Sequence, residues 1–164
     1  MEIAATLGIG PSLAIIGGTL ALAGGLAGSS IGIGVAGSAG AATVSEDPKQ
    51  FRNVLLLASL PMTQTFYGLI ILLYIITQIL PGIQALPVEE ALQKGLMVLG
   101  VGFIAAFAEG FSAAYQGVIC SSGIALLPKT KGQILGSAII LAVYAELFGV
   151  LGMVFAILTL ILVI

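Results

Sequence analysis

The sequence predicts an all-α membrane protein in which four transmembrane helices form two parallel-repeat hairpins. First, 59% of the 164 residues are hydrophobic and only 7% are charged, whereas a soluble domain carries about a quarter charged residues. Second, four apolar runs reach the roughly 20 residues that a helix needs to cross a bilayer. Third, the second pair of runs repeats residue patterns of the first pair. None of the runs alternates apolar and polar residues, so barrel strands are not expected.

The four predicted spans pair into two hairpins with short polar connections. The first hairpin takes residues 1–80 and the second takes residues 95–164, with an outer loop at 81–94 between them. The predicted spans, in chain order, are about 10–44, 53–80, 95–127 and 132–164. Proline, glycine and charged residues collect in the connections, as is usual for turns.

The basic residues predict the orientation in the cell membrane. Four of the five lie in the connections 45–52 and 128–132, namely Lys49, Arg52, Lys129 and Lys131. Cytoplasmic loops carry an excess of Lys and Arg. We therefore expect both hairpin loops to be cytoplasmic, and both termini and the middle loop to lie outside. The start of the chain has no basic residue, and so lacks the positive region of a cleavable signal.

Composition also excludes several functions. The chain has 23 glycines and no histidine, so a histidine-based triad or a histidine-ligated zinc site is excluded. The glycines follow no three-residue period, which excludes collagen. With a net charge of −2 there is no basic patch for nucleic acid. The single cysteine, Cys120, is expected to be a packed thiol.

An internal repeat supports two hairpins in the same orientation. Residues 29–40 (SSIGIGVAGSAG) resemble residues 112–123 (SAAYQGVICSSG). When the two halves of the chain are aligned with a shift of similar length, Gln64 aligns with Glu146 and Phe66 aligns with Phe148. The chain therefore reads as one hairpin duplicated in parallel, a common arrangement in membrane folds.

Small residues recur every four positions in the first and third spans. The first series is Gly24, Gly28, Gly32, Ala36 and Gly40, and the second is Ala106, Gly110 and Ala114. Such spacing lets helix backbones approach closely in lipid, which favours an oligomeric ring whose inner wall is made of thin helices. The segment 32–37 also matches GxGxxG, but it lies inside a helix-length apolar run without a preceding strand, so we reject nucleotide binding.

Two carboxylates, Glu109 and Glu146, lie inside predicted spans. A carboxylate there costs at least about 2.5–3.5 kcal/mol and is a functional candidate by default. At 1.5 Å per residue, Gln64, Gln116 and Glu146 each lie roughly 20 Å from the nearest basic residue of a predicted cytoplasmic loop. Glu109 lies about 10 Å further out than Gln116. It could serve an ion path, pair across subunits, sit protonated or lie near the outer interface, and it is left out of the predicted binding set.

Hydroxyl and carbonyl oxygens accompany these side chains in the second span. Thr63 and Tyr67 share a helix face, and Pro61 loosens a nearby carbonyl because it has no N–H. Hard cations prefer oxygen ligands, and one negative charge suits a monovalent ion, most simply Na⁺. Interhelical hydrogen bonds that only fix packing are the alternative.

The segment Leu60-Pro-Met-Thr-Gln-Thr-Phe-Tyr67, together with Gln116 and Glu146, resembles the proteolipid of V-type ATPases. This is the K or c subunit of the rotor ring, and the match is most like the sodium-pumping bacterial branch. The resemblance implies that Glu146 is the ion-carrying carboxylate and that Tyr67 holds it by a hydrogen bond. The implied Na⁺ ligands are the Leu60 carbonyl, the Thr63 hydroxyl, the amide oxygens of Gln64 and Gln116, and the Glu146 carboxylate.

The resemblance also implies a mechanism and partners. Identical copies would form a lipid-facing ring that turns against a stator subunit with a basic residue, while a central-stalk subunit sits on the cytoplasmic loops. The chain would be non-catalytic, with ATP hydrolysis in partner subunits. Alternatives are the same rotor with H⁺ and no Na⁺, a small proton-coupled multidrug exporter, or a purely structural proteolipid.

Overall fold

A computed structural model describes residues 8–164, and the part of the first hairpin at residues 1–7 lies outside the described residues. Helix α1 covers Ile9–Glu46, and α5 covers Val88–Thr130. Helix α6 covers Leu135–Val163. The second span runs over Pro48–Gln84 in several helical segments. Each of these four stretches is long and apolar enough to cross a membrane, so the described chain is the four-helix membrane fold that the sequence predicts.

The second span is helical throughout, but its geometry changes along its length. A 3₁₀ turn at Pro48–Gln50 leads into α2 (Phe51–Ser59), and a second 3₁₀ turn at Leu60–Met62 leads into α3 (Thr63–Tyr74). A π-helical turn at Ile75–Ile79 precedes α4 (Leu80–Gln84). The second 3₁₀ turn and the π turn each lie at or just before a proline, which cannot donate an N–H to the preceding turn.

The connection between the hairpins is shorter than the 14 residues expected at 81–94. Helix α4 ends at Gln84 and α5 begins at Val88, so only residues 85–87 separate them. Pro81 lies in the first turn of α4 and Pro87 directly precedes α5. At Pro87 a missing N–H costs little, because donors at the start of a helix have no partner within it. Pro81 continues the helical second span directly after the π turn, so both prolines lie in or beside helices where the sequence pattern suggested a loop.

Helix α5 also extends past its expected end at residue 127, through Pro128 to Thr130. Pro128 cannot donate to the carbonyl of Ile124, and the Thr43 hydroxyl on α1 donates to that carbonyl instead, at 3.1 Å. The chain then reverses through Lys131 and Gly132, both with positive φ (50° and 84°). Helix α6 consequently starts at 135, three residues later than predicted.

Helices α1 and α5 run parallel and touch along their backbones. A Cβ on Gly17 would lie 2.6 Å from the Val98 carbonyl oxygen, and Gly102 in turn faces the Gly17 backbone. Further along, Gly32 and Gly117 face each other in the same way. The predicted small-residue grooves therefore pack against each other within one chain. Because both hairpins start with these helices, their parallel contact is that of a duplicated unit.

Helices α3 and α6 run antiparallel to this pair and complete the bundle. Gly68 of α3 lies against the Ala21 backbone, and Gly123 of α5 lies against Ala138 of α6. Two apolar clusters form the core. One contains Ala21, Ile71, Val98 and Leu160 near the chain termini, and the other contains Leu57, Cys120, Ile124 and Ala142 near the hairpin turns. Along α3, α5 and α6, the polar side chains lie between these two clusters.

Candidate ion-binding site

The Leu60-Pro-Met turn places the Leu60 carbonyl at the start of α3, where it accepts from the Thr63 backbone N–H. The Thr63 hydroxyl donates a hydrogen bond to the Leu60 carbonyl at 3.2 Å and lies 3.1 Å from the Gln64 Oε1 atom. The turn is 3₁₀ because Pro61 interrupts the α-helical hydrogen bonds. Three oxygen atoms from Leu60, Thr63 and Gln64 are thereby gathered at one point in the second span.

Two buried glutamine side chains connect this point to α5 and α6. Gln64 and Gln116 are fully buried. Nε2 of Gln64 donates to Oε1 of Gln116 at 3.0 Å, and Nε2 of Gln116 donates to Oε2 of Glu146 at 3.3 Å. Gln64, Gln116 and Glu146, which their separations along the chain predicted to lie at one depth, are therefore linked by hydrogen bonds.

Glu146 is bonded from both sides. Its Oε1 atom accepts a hydrogen bond from the Tyr67 hydroxyl at 2.9 Å, while Oε2 accepts from Gln116. The carboxylate is partly exposed at the surface between α3 and α6, whereas the glutamines lie behind it. A carboxylate with one open side and a polar wall behind it can receive a cation without unfolding the bundle.

Ser112 belongs to the same network and was not among the predicted site residues. Its hydroxyl accepts from Nε2 of Gln64 at 3.0 Å and donates to the Ala145 carbonyl at 2.7 Å. Ser112 therefore links the buried amide of α3 to the turn of α6 that precedes Glu146. The available signal was its spacing, since Ser112 lies four residues before Gln116 and shares its helix face.

Glu109 lies nearer to this network than its sequence position suggested. Its side chain is 0% exposed. A Cβ added to Gly149 would lie 2.9 Å from Oε2 of Glu109 and 3.0 Å from both the Gln64 Cγ atom and the Ser112 Oγ atom. The axial estimate of about 10 Å neglected the length of the glutamate side chain and the tilt of the helices. Glu109 therefore borders the site rather than the outer interface.

The fold and this arrangement define a class: a multi-pass membrane proteolipid of duplicated hairpins with a carboxylate midway along its last membrane-length helix. The family model for the C subunit of ATP synthase matches the chain twice, over residues 16–75 and 99–159. The chain belongs to this family, and it is a proteolipid of the rotor rings of V/A-type ATPases. The two matched segments correspond to the two hairpins, and family membership displaces the exporter alternative.

Two curated relatives are similar over most of the chain. One is the V-type sodium ATPase subunit K of Enterococcus hirae, 34% identical over 127 residues, which are 77% of this chain and 76% of the relative. The other is the A-type ATP synthase subunit K of Methanocaldococcus jannaschii, 31% identical over 134 residues. That match covers 82% of this chain but only 55% of the relative.

Proposed function

We propose that this chain carries Na⁺ across the cell membrane by loading and unloading Glu146 during rotation of the ring. The observation that carries the proposal is the junction of α3, α5 and α6, where Glu146 is bonded by Tyr67 and Gln116 beside the oxygens of Thr63 and Gln64. The similarity to a relative named for a sodium ATPase supports the same ion.

Five residues would supply oxygens to the transported ion. These are the Leu60 carbonyl, the Thr63 hydroxyl, the Gln64 and Gln116 amide oxygens and the Glu146 carboxylate. For Gln116, the amide would have to turn, because its Nε2 rather than its Oε1 faces Glu146. Amide oxygen and nitrogen positions follow from the hydrogen-bond network, and a cation at Glu146 would reverse that preference. The donor set thus fits a small hard monovalent cation.

The mechanism follows from the cost of charge in lipid. A loaded site is electrically neutral, so it can face lipid, whereas an empty Glu146 carboxylate would carry a large desolvation cost. Release would therefore occur beside a basic residue of a stator subunit, between two aqueous half-channels. The chain itself would be non-catalytic. Identical copies form the ring, ATP hydrolysis resides in partner subunits, and the loops at 45–52 and 128–132 seat a central-stalk subunit on the cytoplasmic side.

The second candidate is the same rotor with H⁺ as the ion. It is favoured by the orientation of the Gln116 amide, which presents Nε2 and not Oε1 to Glu146 and so offers no amide oxygen to a metal ion there. A proton on Glu146 would need no further oxygen ligand. The two candidates differ in whether Na⁺ competes for the carboxylate.

Carbodiimide labelling of the detergent-solubilised protein separates these candidates. The reagent attacks protonated membrane carboxyls, and modification of Glu146 is read by peptide mass with NaCl or with choline chloride at equal ionic strength. Protection by Na⁺ alone supports the Na⁺ rotor. Labelling that only high pH suppresses assigns H⁺. The matched variant Glu146→Gln should lose this label. Absence of label at Glu146 under every condition would refute a loadable carboxylate and leave the packing interpretation.

A further inference from the structure

Ser112 is a buried hydroxyl that lies between the Gln64 amide and a backbone carbonyl of α6. Its side chain is 5% exposed. The hydroxyl donates to the Ala145 carbonyl at 2.7 Å, and Nε2 of Gln64 lies 3.0 Å from Ser112 Oγ. A carbonyl oxygen only accepts hydrogen bonds, and a serine hydroxyl carries a single hydrogen. That hydrogen is therefore used on Ala145, and Ser112 can offer Gln64 only an acceptor.

This hydrogen-bond chain fixes which end of the Gln64 amide faces the proposed ion. Because Ser112 can only accept, the amide nitrogen of Gln64 and not its oxygen must face the hydroxyl. The amide group is planar, so Oε1 points away from Ser112, and it lies 3.1 Å from the Thr63 hydroxyl oxygen. A backbone carbonyl of α6 thus holds the Gln64 oxygen, through Ser112, on the side of the proposed Na⁺ ligands.

The other two hydrogen-bond partners of the Gln64 amide do not fix its direction. The Thr63 hydroxyl can donate or accept, so it fits either end of the amide. Oε1 of Gln116 accepts from Gln64 at 3.0 Å, but in the ion-loaded site the Gln116 amide would have to turn. Its Nε2 would then face Gln64 and favour a reversed Gln64 amide. Among the partners that the described structure gives Gln64, only Ser112 opposes this reversal, since reversal would cost Ser112 its bond to Ala145.

We propose that Ser112 is a positioning residue that selects Na⁺ by holding the Gln64 amide oxygen toward the ion. A reversed Gln64 would point N–H hydrogens at the cation and repel it, whereas a proton on Glu146 needs no amide ligand. Loss of the Ser112 hydroxyl should therefore weaken Na⁺ binding and leave proton binding unchanged. This inference rests on the proposed function, because it requires Na⁺ at Glu146.

The first hairpin supplies a matched control hydroxyl. Ser29 aligns with Ser112 in the internal repeat and is similarly buried, at 4% exposed. Its hydroxyl accepts from the Thr65 hydroxyl at 2.9 Å, and in the described structure it makes no hydrogen bond to the Gln64 side chain. Ser29→Ala therefore removes the same buried atom as Ser112→Ala without releasing the Gln64 amide.

Carbodiimide labelling of Glu146 tests the inference in two conditions. The NaCl concentration that half-protects Glu146 should rise about fivefold in Ser112→Ala, which is the loss expected from one neutral hydrogen bond. The labelling rate in choline chloride reports the protonated carboxyl without Na⁺, and it should not change. Ser29→Ala should leave both measurements unchanged. A merely structural role of Ser112 would instead alter the labelling rate in choline chloride as well, and that result would overturn the inference.

A double variant shows whether Ser112 acts through Gln64. Gln64→Met keeps an unbranched side chain of similar length and leaves the other four proposed ligands, so Na⁺ protection remains measurable at higher NaCl. Adding Ser112→Ala to it should raise the half-protecting concentration no further, because two residues that act as a unit are not additive.

Three further results would overturn the inference: wild-type protection in Ser112→Ala, an equal loss in Ser29→Ala, or a full additional loss in the Gln64→Met background. Failure of the proposed function is recognised separately, because Na⁺ would then not protect Glu146 in the wild type at any concentration. In that case Ser112 has no Na⁺ ligand to orient, and the inference fails with it.

Discussion

Replacing Tyr67 by Phe removes one oxygen atom from the site and keeps the aromatic ring. The lost atom donates to Oε1 of Glu146 at 2.9 Å. A hydrogen bond to a charged group is worth about 1.5–3 kcal/mol. Because Tyr67 and Glu146 are only partly buried, water can replace part of this hydrogen-bond energy. We therefore expect the substitution to cost about 1.5 kcal/mol of binding free energy. That corresponds to roughly a tenfold loss of Na⁺ affinity.

The assay is the NaCl concentration that half-protects Glu146 from carbodiimide, which should rise about tenfold in Tyr67→Phe. Tyr144→Phe is the matched control. Tyr144 lies two residues before Glu146, is 63% exposed and makes no side-chain hydrogen bond to the described residues. The half-protecting NaCl concentration of Tyr144→Phe should therefore equal that of the unchanged protein. An unchanged half-protecting concentration in Tyr67→Phe would refute the idea that this hydrogen bond stabilises the loaded carboxylate.

Glycine substitutions test the two close contacts that shape the protein. Gly149→Ala would place a Cβ 3.0 Å from Gln64 Cγ, so we expect an overpacking cost of about 1–3 kcal/mol and a higher half-protecting NaCl concentration. Gly136→Ala, on the same helix in open space, should leave that concentration unchanged. Gly117→Ala would force α5 away from the α1 backbone and should lower the thermal unfolding temperature measured by circular dichroism in detergent. Gly100→Ala lies on the same helix and would meet no described atom within 4 Å beyond its own helix backbone, so it should not lower this temperature, and equal losses in both variants would contradict this account.

The sequence was sufficient for the spans and for the meeting of three polar side chains. Hydropathy locates apolar runs because the bilayer sets their length. Depth along a helix follows from a fixed rise per residue, so Gln64, Gln116 and Glu146 could be placed at one level from their separations along the chain alone. The hydrogen bonds between them agree with that prediction.

Features that depend on rotation and tilt could not be obtained in this way. Ser112 donates a hydrogen bond to the Ala145 carbonyl. Whether that hydrogen bond forms depends on how α5 and α6 are rotated relative to each other. Glu109 lies against Gly149 for the same reason. Pro81 and Pro87 suggested a loop, yet Pro81 continues the helical second span after a π turn and Pro87 directly precedes α5, because proline is compatible with a distorted helical turn and with a helix start as well as with a loop.

The parallel contact of α1 and α5 has an evolutionary consequence. Both helices open a hairpin, and the backbone contact between Gly17 and Gly102 joins nearly equivalent positions of the two copies. Two separate hairpins of the ancestral gene could have made the same contact with each other. Fusion then made this interface permanent and freed each copy to change on its own. One copy could keep an acid at 146 while the other came to carry an amide at 64.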